Sequence, residues 1–246
     1  IMPQLRPSDS IPGPVGELRA ASAASGGTAL TTTAALIVLP DGTERIILLP
    51  RNYVGAAVVK VALNPYLIVL RTQDNLGTIT DASKNAQDGS AATDVTLSSQ
   101  DTAANGDYLY VGSHVPFRGV DVDVDAANAN ASVLTANYWD GSTWTSITAT
   151  DGTASGGASL AVDGQVTWTV PSGWTKATLR AIASPPPGSI SYMDESLYWT
   201  RWQFSAALDA SVTLNAMLAL NRSTTYAEIP AGFGHESRTV KGVGGH

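Results

Sequence analysis

Few side chains in this sequence have the type and spacing that catalysis requires. The three histidines, His114, His235 and His246, lie far apart, and no Gly-x-Ser-x-Gly element marks a nucleophilic serine. A Ser-His-Asp site can assemble in space from distant residues, but serine is abundant here and no position stands out. The chain also lacks the P-loop and dinucleotide-binding glycine patterns. The sequence therefore predicts a protein that is not an enzyme and has no cofactor.

Three alternating carboxylates, Asp121, Asp123 and Asp125, are the best candidates for a metal site. Alternate residues of a strand share a face, so these carboxylates would be spaced by about 6.6 Å. That spacing is wide for one Ca²⁺, whose oxygen ligands lie about 2.4 Å from the ion, unless a bulge or loop closes it. The favoured interpretation is a solvated outer face opposite buried valines, and no metal is predicted.

The aromatic residues are the second set of side chains that could carry a function. All six tryptophans follow residue 138, and the chain has only three Phe and three Met. A buried aromatic side chain supplies about 150–250 Å² to a core, so core packing is the favoured interpretation, with Trp144 and Trp168 inside. Exposed rings would instead stack on sugars. In that alternative, the glycan-stacking residues would be Tyr138, Trp139, Trp174 and Trp199.

Charge and composition exclude several classes of protein. The 246 residues carry a formal charge of -7, so the basic footprint of a nucleic-acid binder is missing. A hydrophobic share of 43% argues against disorder of the whole chain. No run approaches the roughly 18 apolar residues of a membrane span, and no membrane partner is expected. The absence of cysteine excludes disulfides and leaves the redox compartment undecided.

Residues 1–28 are predicted to form an extended N-terminal arm, because prolines remove backbone donors. The four prolines of this segment are Pro3, Pro7, Pro12 and Pro14.

Residues 29–100 are predicted to form a β-rich assembly domain. Apolar runs at 34–39 and 44–49 flank a turn and indicate a hairpin. Two more strand-like runs follow at 56–63 and 66–72. The polar stretch from Asp74 to Gln100 is interpreted as a long loop at the domain boundary.

Residues 101–246 are predicted to form a β-sandwich domain with a C-terminal tail. Strand-like runs recur there, including 108–111, 159–162 and 176–182, and the dipeptides Asp140-Gly141, Asp151-Gly152 and Asp163-Gly164 mark turns. Short strands with turn signals every 8–12 residues or so are typical of a sandwich or jelly roll. The predicted fold class is all-β, with two β-rich lobes of which the second is sandwich- or jelly-roll-like.

Five segments between residues 105 and 220 share a pattern of turn residues and aromatics. They are Asp107-Tyr-Leu-Tyr-Val-Gly-Ser-His-Val-Pro-Phe-Arg-Gly-Val120, Asn137-Tyr-Trp-Asp-Gly-Ser-Thr-Trp144, Asp151-Gly-Thr, Val170-Pro-Ser-Gly-Trp174 and Tyr198-Trp-Thr-Arg-Trp202. In this pattern the chain resembles a β-domain of virion structural proteins of tailed bacteriophages. The resemblance carries over no catalytic residue, and residues 1–100 lie outside it.

The resemblance implies a non-enzymatic structural component of the virion, most simply a capsid decoration or cement protein that stabilises the head. Its partners would be the major capsid protein and copies of itself. The unbroken apolar runs Leu36–Leu39 and Ile46–Leu49 need cover on both faces and also favour self-association. The trimer is implied by the resemblance, as is location on the capsid surface of a virion assembled in the host cytoplasm.

Two alternatives remain open. The first is a carbohydrate- or receptor-binding module of a phage tail or baseplate. The second is an accessory domain of a secreted glycan-active enzyme.

Overall fold

The computed structural model describes residues 45–48, 59–61, 64–73, 78–88, 92–98, 100, 106–183, 193–221, 227–229 and 235–238. Over these ranges the chain has fifteen strands and one short helix, which confirms the predicted all-β fold. None of the described residues belongs to a helix long and apolar enough to cross a membrane. The predicted arm, residues 1–28, lies outside the described residues.

In chain order, the strands and the helix are β1 (Arg45–Leu48), β2 (Val59–Val61), β3 (Ile68–Gln73), β4 (Thr78–Asp81), β5 (Val95–Thr96), β6 (Leu109–Ser113), β7 (Phe117–Ala126), β8 (Leu134–Trp139), β9 (Trp144–Ser146), β10 (Thr150–Asp151), β11 (Gly164–Thr167), α1 (Leu179–Ile182), β12 (Tyr198–Phe204), β13 (Thr213–Asn221), β14 (Ala227–Ile229) and β15 (His235–Arg238).

The chain divides into two compact units, one made of Ile1–Val59 with Glu228–His246 and the other of Lys60–Ala227. In the first unit, β1 pairs antiparallel with β15. The sequence predicted β1 with the run at 34–39 as its hairpin partner, and that run lies outside the described residues. Strands β2 and β14 form another two-stranded pair.

Two antiparallel sheets make up the second unit. One has six strands in the order β4-β3-β6-β12-β8-β9, and the other has five in the order β10-β11-β7-β13-β5. These units differ from the predicted division at residue 100, because β3, β4 and β5 join the same two sheets as the later strands. The stretch 74–100, interpreted as a loop, contains β4 and β5. Its polarity reflects edge positions, where most side chains of β4 are exposed.

One hydrophobic core lies between the two sheets. Because neighbouring residues of a strand point to opposite faces, alternate side chains of each sheet enter it. The six-stranded sheet contributes Val69, Val111 and Trp202, and the five-stranded sheet contributes Val120 and Met217. The arrangement is β-sandwich-like. As predicted, Trp168 is buried, and it follows β11 directly.

The other face of the six-stranded sheet is also covered. Ile68, Tyr110 and Trp199 pack there with Leu179 of α1 and with Met193 in a second buried cluster. A strand covered on both faces is expected to be continuously apolar, which explains the buried run from Ile68 to Leu70.

Two predicted strands are wrong. Residues 159–162 form turns, where Leu160 has a φ of 59° and donates its amide hydrogen to the Thr153 hydroxyl. Residues 176–182 end in helix α1 instead of a strand. Short apolar runs do not distinguish a strand from a helical turn, and Leu179, Arg180 and Ala181 are good helix formers.

Candidate functional site

Strand register brings five residues from distant parts of the sequence to the outer face of the six-stranded sheet. Arg201 on β12 lies opposite Tyr110 on β6, and Trp139 on β8 lies opposite Trp144 on β9. Tyr108 precedes β6 and shares the face of Tyr110 by alternation. We refer to Tyr108, Tyr110, Trp139, Trp144 and Arg201 as the aromatic–arginine cluster.

The guanidinium group of Arg201 is held between two aromatic rings. Its Cζ atom lies 4.5 Å from the centre of the Tyr108 ring and 4.9 Å from that of Trp144. The Trp144 ring is also 5.7 Å from the rings of Tyr110 and Trp139, centre to centre. A cation over an aromatic face contributes about 0.5–2 kcal/mol, depending on exposure. These contacts fix the direction of the arginine side chain.

A hydrogen bond ties the cluster to helix α1. The Trp144 indole donates to the Ile182 carbonyl over 3.3 Å, which anchors the ring to α1. Burial raises the pKa of Tyr110 well above its usual value, an effect that Arg201 opposes, so this hydroxyl stays neutral in neutral solution.

Arg201 has no ion-pair partner among the described residues, unlike Arg180, whose Nε lies 2.6 Å from Asp194. The Nε atom of Arg201 is buried without a hydrogen-bond partner. Asn137 lies directly opposite Arg201, on β8, and this residue is 8% exposed. Its Nδ2 atom is also buried without a hydrogen-bond partner. Buried polar groups are normally paired. Arg201 and Asn137 therefore place two neighbouring buried donors, neither with an acceptor in the described part of the chain.

The four residues proposed for glycan stacking do not share a surface. Tyr138 and Trp174 pack toward the core between the sheets, with ring centres 6.4 Å apart, whereas Trp139 and Trp199 belong to the outer face. Trp174 is 7% exposed and Trp199 is fully buried, so neither presents a ring to a sugar. Tyr138 and Trp139 are half-buried, on opposite faces because they are consecutive in β8.

Sequence reasoning missed the role of Arg201 and placed Trp144 in the core, where the structure leaves it half-buried. The alternation in Tyr198–Trp202 places Trp199 and Arg201 on one face of the sheet. This is a sequence signal that could have identified the position of Arg201. The sequence carries no comparable signal for the neighbours of Arg201, because they depend on the strand order β6-β12-β8-β9.

Two of the three alternating carboxylates of β7 follow their predicted pattern, and the third, Asp121, is half-buried. Val120 and Val122 are buried, whereas Asp123 and Asp125 are exposed and accept hydrogen bonds from Asn215 and Thr213. Burial is the main cause that raises the pKa of Asp121, and Asp123 and Asp163 add to it. Within the described ranges, no three His, Asp or Glu side chains form a group suited to a metal ion.

Of the histidines, only His114 has a described side chain. Its Nε2 lies 3.3 Å from Oε2 of Glu195, which links the turn between β6 and β7 to residues 193–197. In comparisons with family models, curated proteins and solved structures, none matches this chain.

Proposed function

We propose that the chain is a non-enzymatic structural component of a bacteriophage virion that decorates or cements the capsid. The observation that carries the proposal is the location of the segments that resemble phage virion proteins. Three of the five segments, 107–120, 137–144 and 198–202, contribute residues to β6, β8, β9 and β12, which are neighbours in one sheet, whereas Phe117–Val120 and Asp151 belong to the other sheet. Part of the quoted pattern therefore comes together in one sheet. This coherence supports the resemblance.

In this function, the sandwich is a rigid body and stabilisation of the head comes from buried area. Contacts of about 800 Å² per partner are enough for a specific interface, and several such contacts around a symmetry axis act together through avidity. The partners are the major capsid protein and further copies of the chain, most simply as a trimer. Residues 1–28 are the proposed contact with neighbouring capsid subunits on the virion surface.

The test uses the phage that encodes this chain. Gold-labelled antibodies against the purified protein should bind to heads in electron micrographs. Particles without the protein should release their DNA at a lower temperature, and added protein should restore the difference. Absence of the protein from purified particles would overturn the proposal, and label confined to tails would favour the alternative below.

A second candidate function is a carbohydrate- or receptor-binding module of a phage tail or baseplate. The observation that favours it is the aromatic–arginine cluster, in which Tyr108, Trp139, Trp144 and Arg201 remain half-buried and Arg201 has no carboxylate partner in the described structure. A glycan array with intrinsic tryptophan fluorescence as readout tests this candidate, because a purely cementing protein would bind no sugar.

A further inference from the structure

We propose that the aromatic–arginine cluster binds an acidic saccharide, whose carboxylate is received by Arg201 and whose ring packs on Trp139 and Trp144. This inference rests on the receptor-binding candidate function and names its class of ligand. It does not depend on whether the protein is bound to the capsid.

The first step of the argument is the unused capacity of Arg201. A guanidinium group carries five N–H donors in a rigid fork and matches a carboxylate through two parallel hydrogen bonds. In this structure the Nε of Arg201 has no hydrogen-bond partner. No carboxylate among the described residues pairs with it. Among the described residues, the positive charge of Arg201 is therefore faced by aromatic rings and by no carboxylate, and an anionic ligand would supply the missing negative charge.

The second step is preorganisation. The rings of Tyr108 and Trp144 hold the guanidinium carbon at 4.5 and 4.9 Å. Trp144 is itself fixed by its hydrogen bond to Ile182. A side chain that is already immobilised loses little conformational entropy when a ligand binds, so more of the interaction appears as affinity.

The third step concerns the kind of anion. The Nδ2 of Asn137, directly opposite Arg201, is buried, so the half-buried guanidinium is the donor group that a ligand can reach. Trp139 and Trp144 are half-buried and provide apolar ring surface beside it. A sugar acid combines a carboxylate, further oxygens and an apolar C–H face. Inorganic phosphate or sulfate would use the arginine but would gain nothing from the rings.

The experiment compares three ligands by isothermal titration calorimetry and tryptophan fluorescence on the purified full chain. These are a galacturonic acid trisaccharide, its methyl ester and a trisaccharide of N-acetylneuraminic acid. We expect saturable binding of at least one acid, and binding of galacturonate should weaken about tenfold or more on esterification, since charge-assisted hydrogen bonds are lost. Equal affinity for acid and ester would overturn the proposal, as would the absence of binding by both acids.

Two substitutions and a matched control locate the site. Arg201→Gln should weaken binding of the acid about tenfold or more, and Trp139→Ala should weaken binding of both acid and ester. Arg180→Gln, which removes an arginine already paired with Asp194, should leave binding unchanged. Unchanged affinity in Arg201→Gln would overturn the assignment. If that variant does not fold, the comparison of acid with ester on the unmodified chain still decides.

Inorganic phosphate separates a saccharide site from a general anion site. Phosphate should compete with the acid only weakly. Full competition by phosphate, together with insensitivity to Trp139→Ala, would overturn the saccharide assignment. All of these measurements use purified protein. A negative result would therefore overturn the saccharide site without bearing on the proposed capsid function, which electron microscopy tests separately.

Discussion

Gly112 lies directly opposite Trp199 across strands β6 and β12, and a Cβ atom at Gly112 would come within 2.5 Å of Cε3 of the indole. The absence of a side chain at this position leaves room for the Trp199 indole of the second buried cluster. Two more atoms of the same ring, Cζ3 and Cδ2, would be 2.6 and 2.9 Å away.

Gly112→Ala should therefore destabilise the protein. A fully buried indole cannot move aside, so the added methyl group overpacks the cluster at a cost of about 1–3 kcal/mol or more. The measurement is the free energy of unfolding in urea. Gly173→Ala is the matched control, because its Cβ would meet only the Tyr138 hydroxyl, at 3.8 Å. Equal stability of the two variants would contradict the packing described for Trp199.

Trp168 is the clearest single contributor to the core between the sheets. Its ring is 5.5 Å from that of Phe117 and 6.4 Å from that of Trp202, and its indole donates to the Phe117 carbonyl over 3.0 Å. Trp168→Ala should lower the free energy of unfolding by about 3–5 kcal/mol, through lost burial and the cavity left behind. Trp139→Ala, at a half-buried position, should cost clearly less. A reversed order of the two variants in urea denaturation would refute the burial assigned here.

The sequence was sufficient to predict the fold class, because alternating apolar runs and Asp-Gly turns are local signals. Strand β6 was found within two residues of its bounds, since Tyr108–Val111 is both apolar and aromatic. The helical turn at Leu179 was missed because four residues are too few to show a helical period. Edge strand β4 was missed because it is polar on the surface.

The candidate site was harder to predict than the fold. Residues in one strand can be assigned to faces by counting, which places Trp199 with Arg201. The contact between Arg201 and Trp144 requires knowledge that β8 lies between β12 and β9. That order arises from long-range packing, and nothing in the local sequence encodes it. For the same reason, the sequence could not show that Trp174 lies on the opposite side of the sheet from Trp139.

Asn128 joins three segments of backbone and should be indispensable for stability. Its side chain donates to the Ser159 carbonyl at 2.9 Å and accepts from the amides of Asn130 and Asp209 at 3.1 and 3.0 Å, and the residue is 2% exposed. Asn128→Ala leaves buried backbone groups unpaired, and we expect a loss of at least about 2 kcal/mol in the free energy of unfolding.

Asn130→Ala is the control for Asn128. The Asn130 side chain makes only an exposed hydrogen bond, to the Ala207 carbonyl over 3.3 Å, so its loss should change stability by no more than about 0.5 kcal/mol. Similar melting temperatures for the two variants would show that the hydrogen bonds of Asn128 do not hold these segments together.

Asp140 and Asp121 should give pH dependences of opposite sign. The amides of Thr143 and Ser142 and the Thr145 hydroxyl hold the pKa of Asp140 well below its ordinary value of 3.8, whereas burial raises that of Asp121. A carboxyl whose folded-state pKa is lowered adds stability above its unfolded pKa and loses it as the pH falls. Relative to Asp140→Asn, the unmodified protein should therefore be more stable at pH 7, and this difference should shrink between about pH 4 and pH 2.

Relative to Asp121→Asn, the unmodified protein should instead gain stability as the pH falls through the raised pKa of Asp121, because the folded state binds the proton more tightly than the unfolded state does. Urea unfolding at steps from pH 7 to pH 2 measures both differences, and parallel slopes for the two variants would contradict the assigned environments.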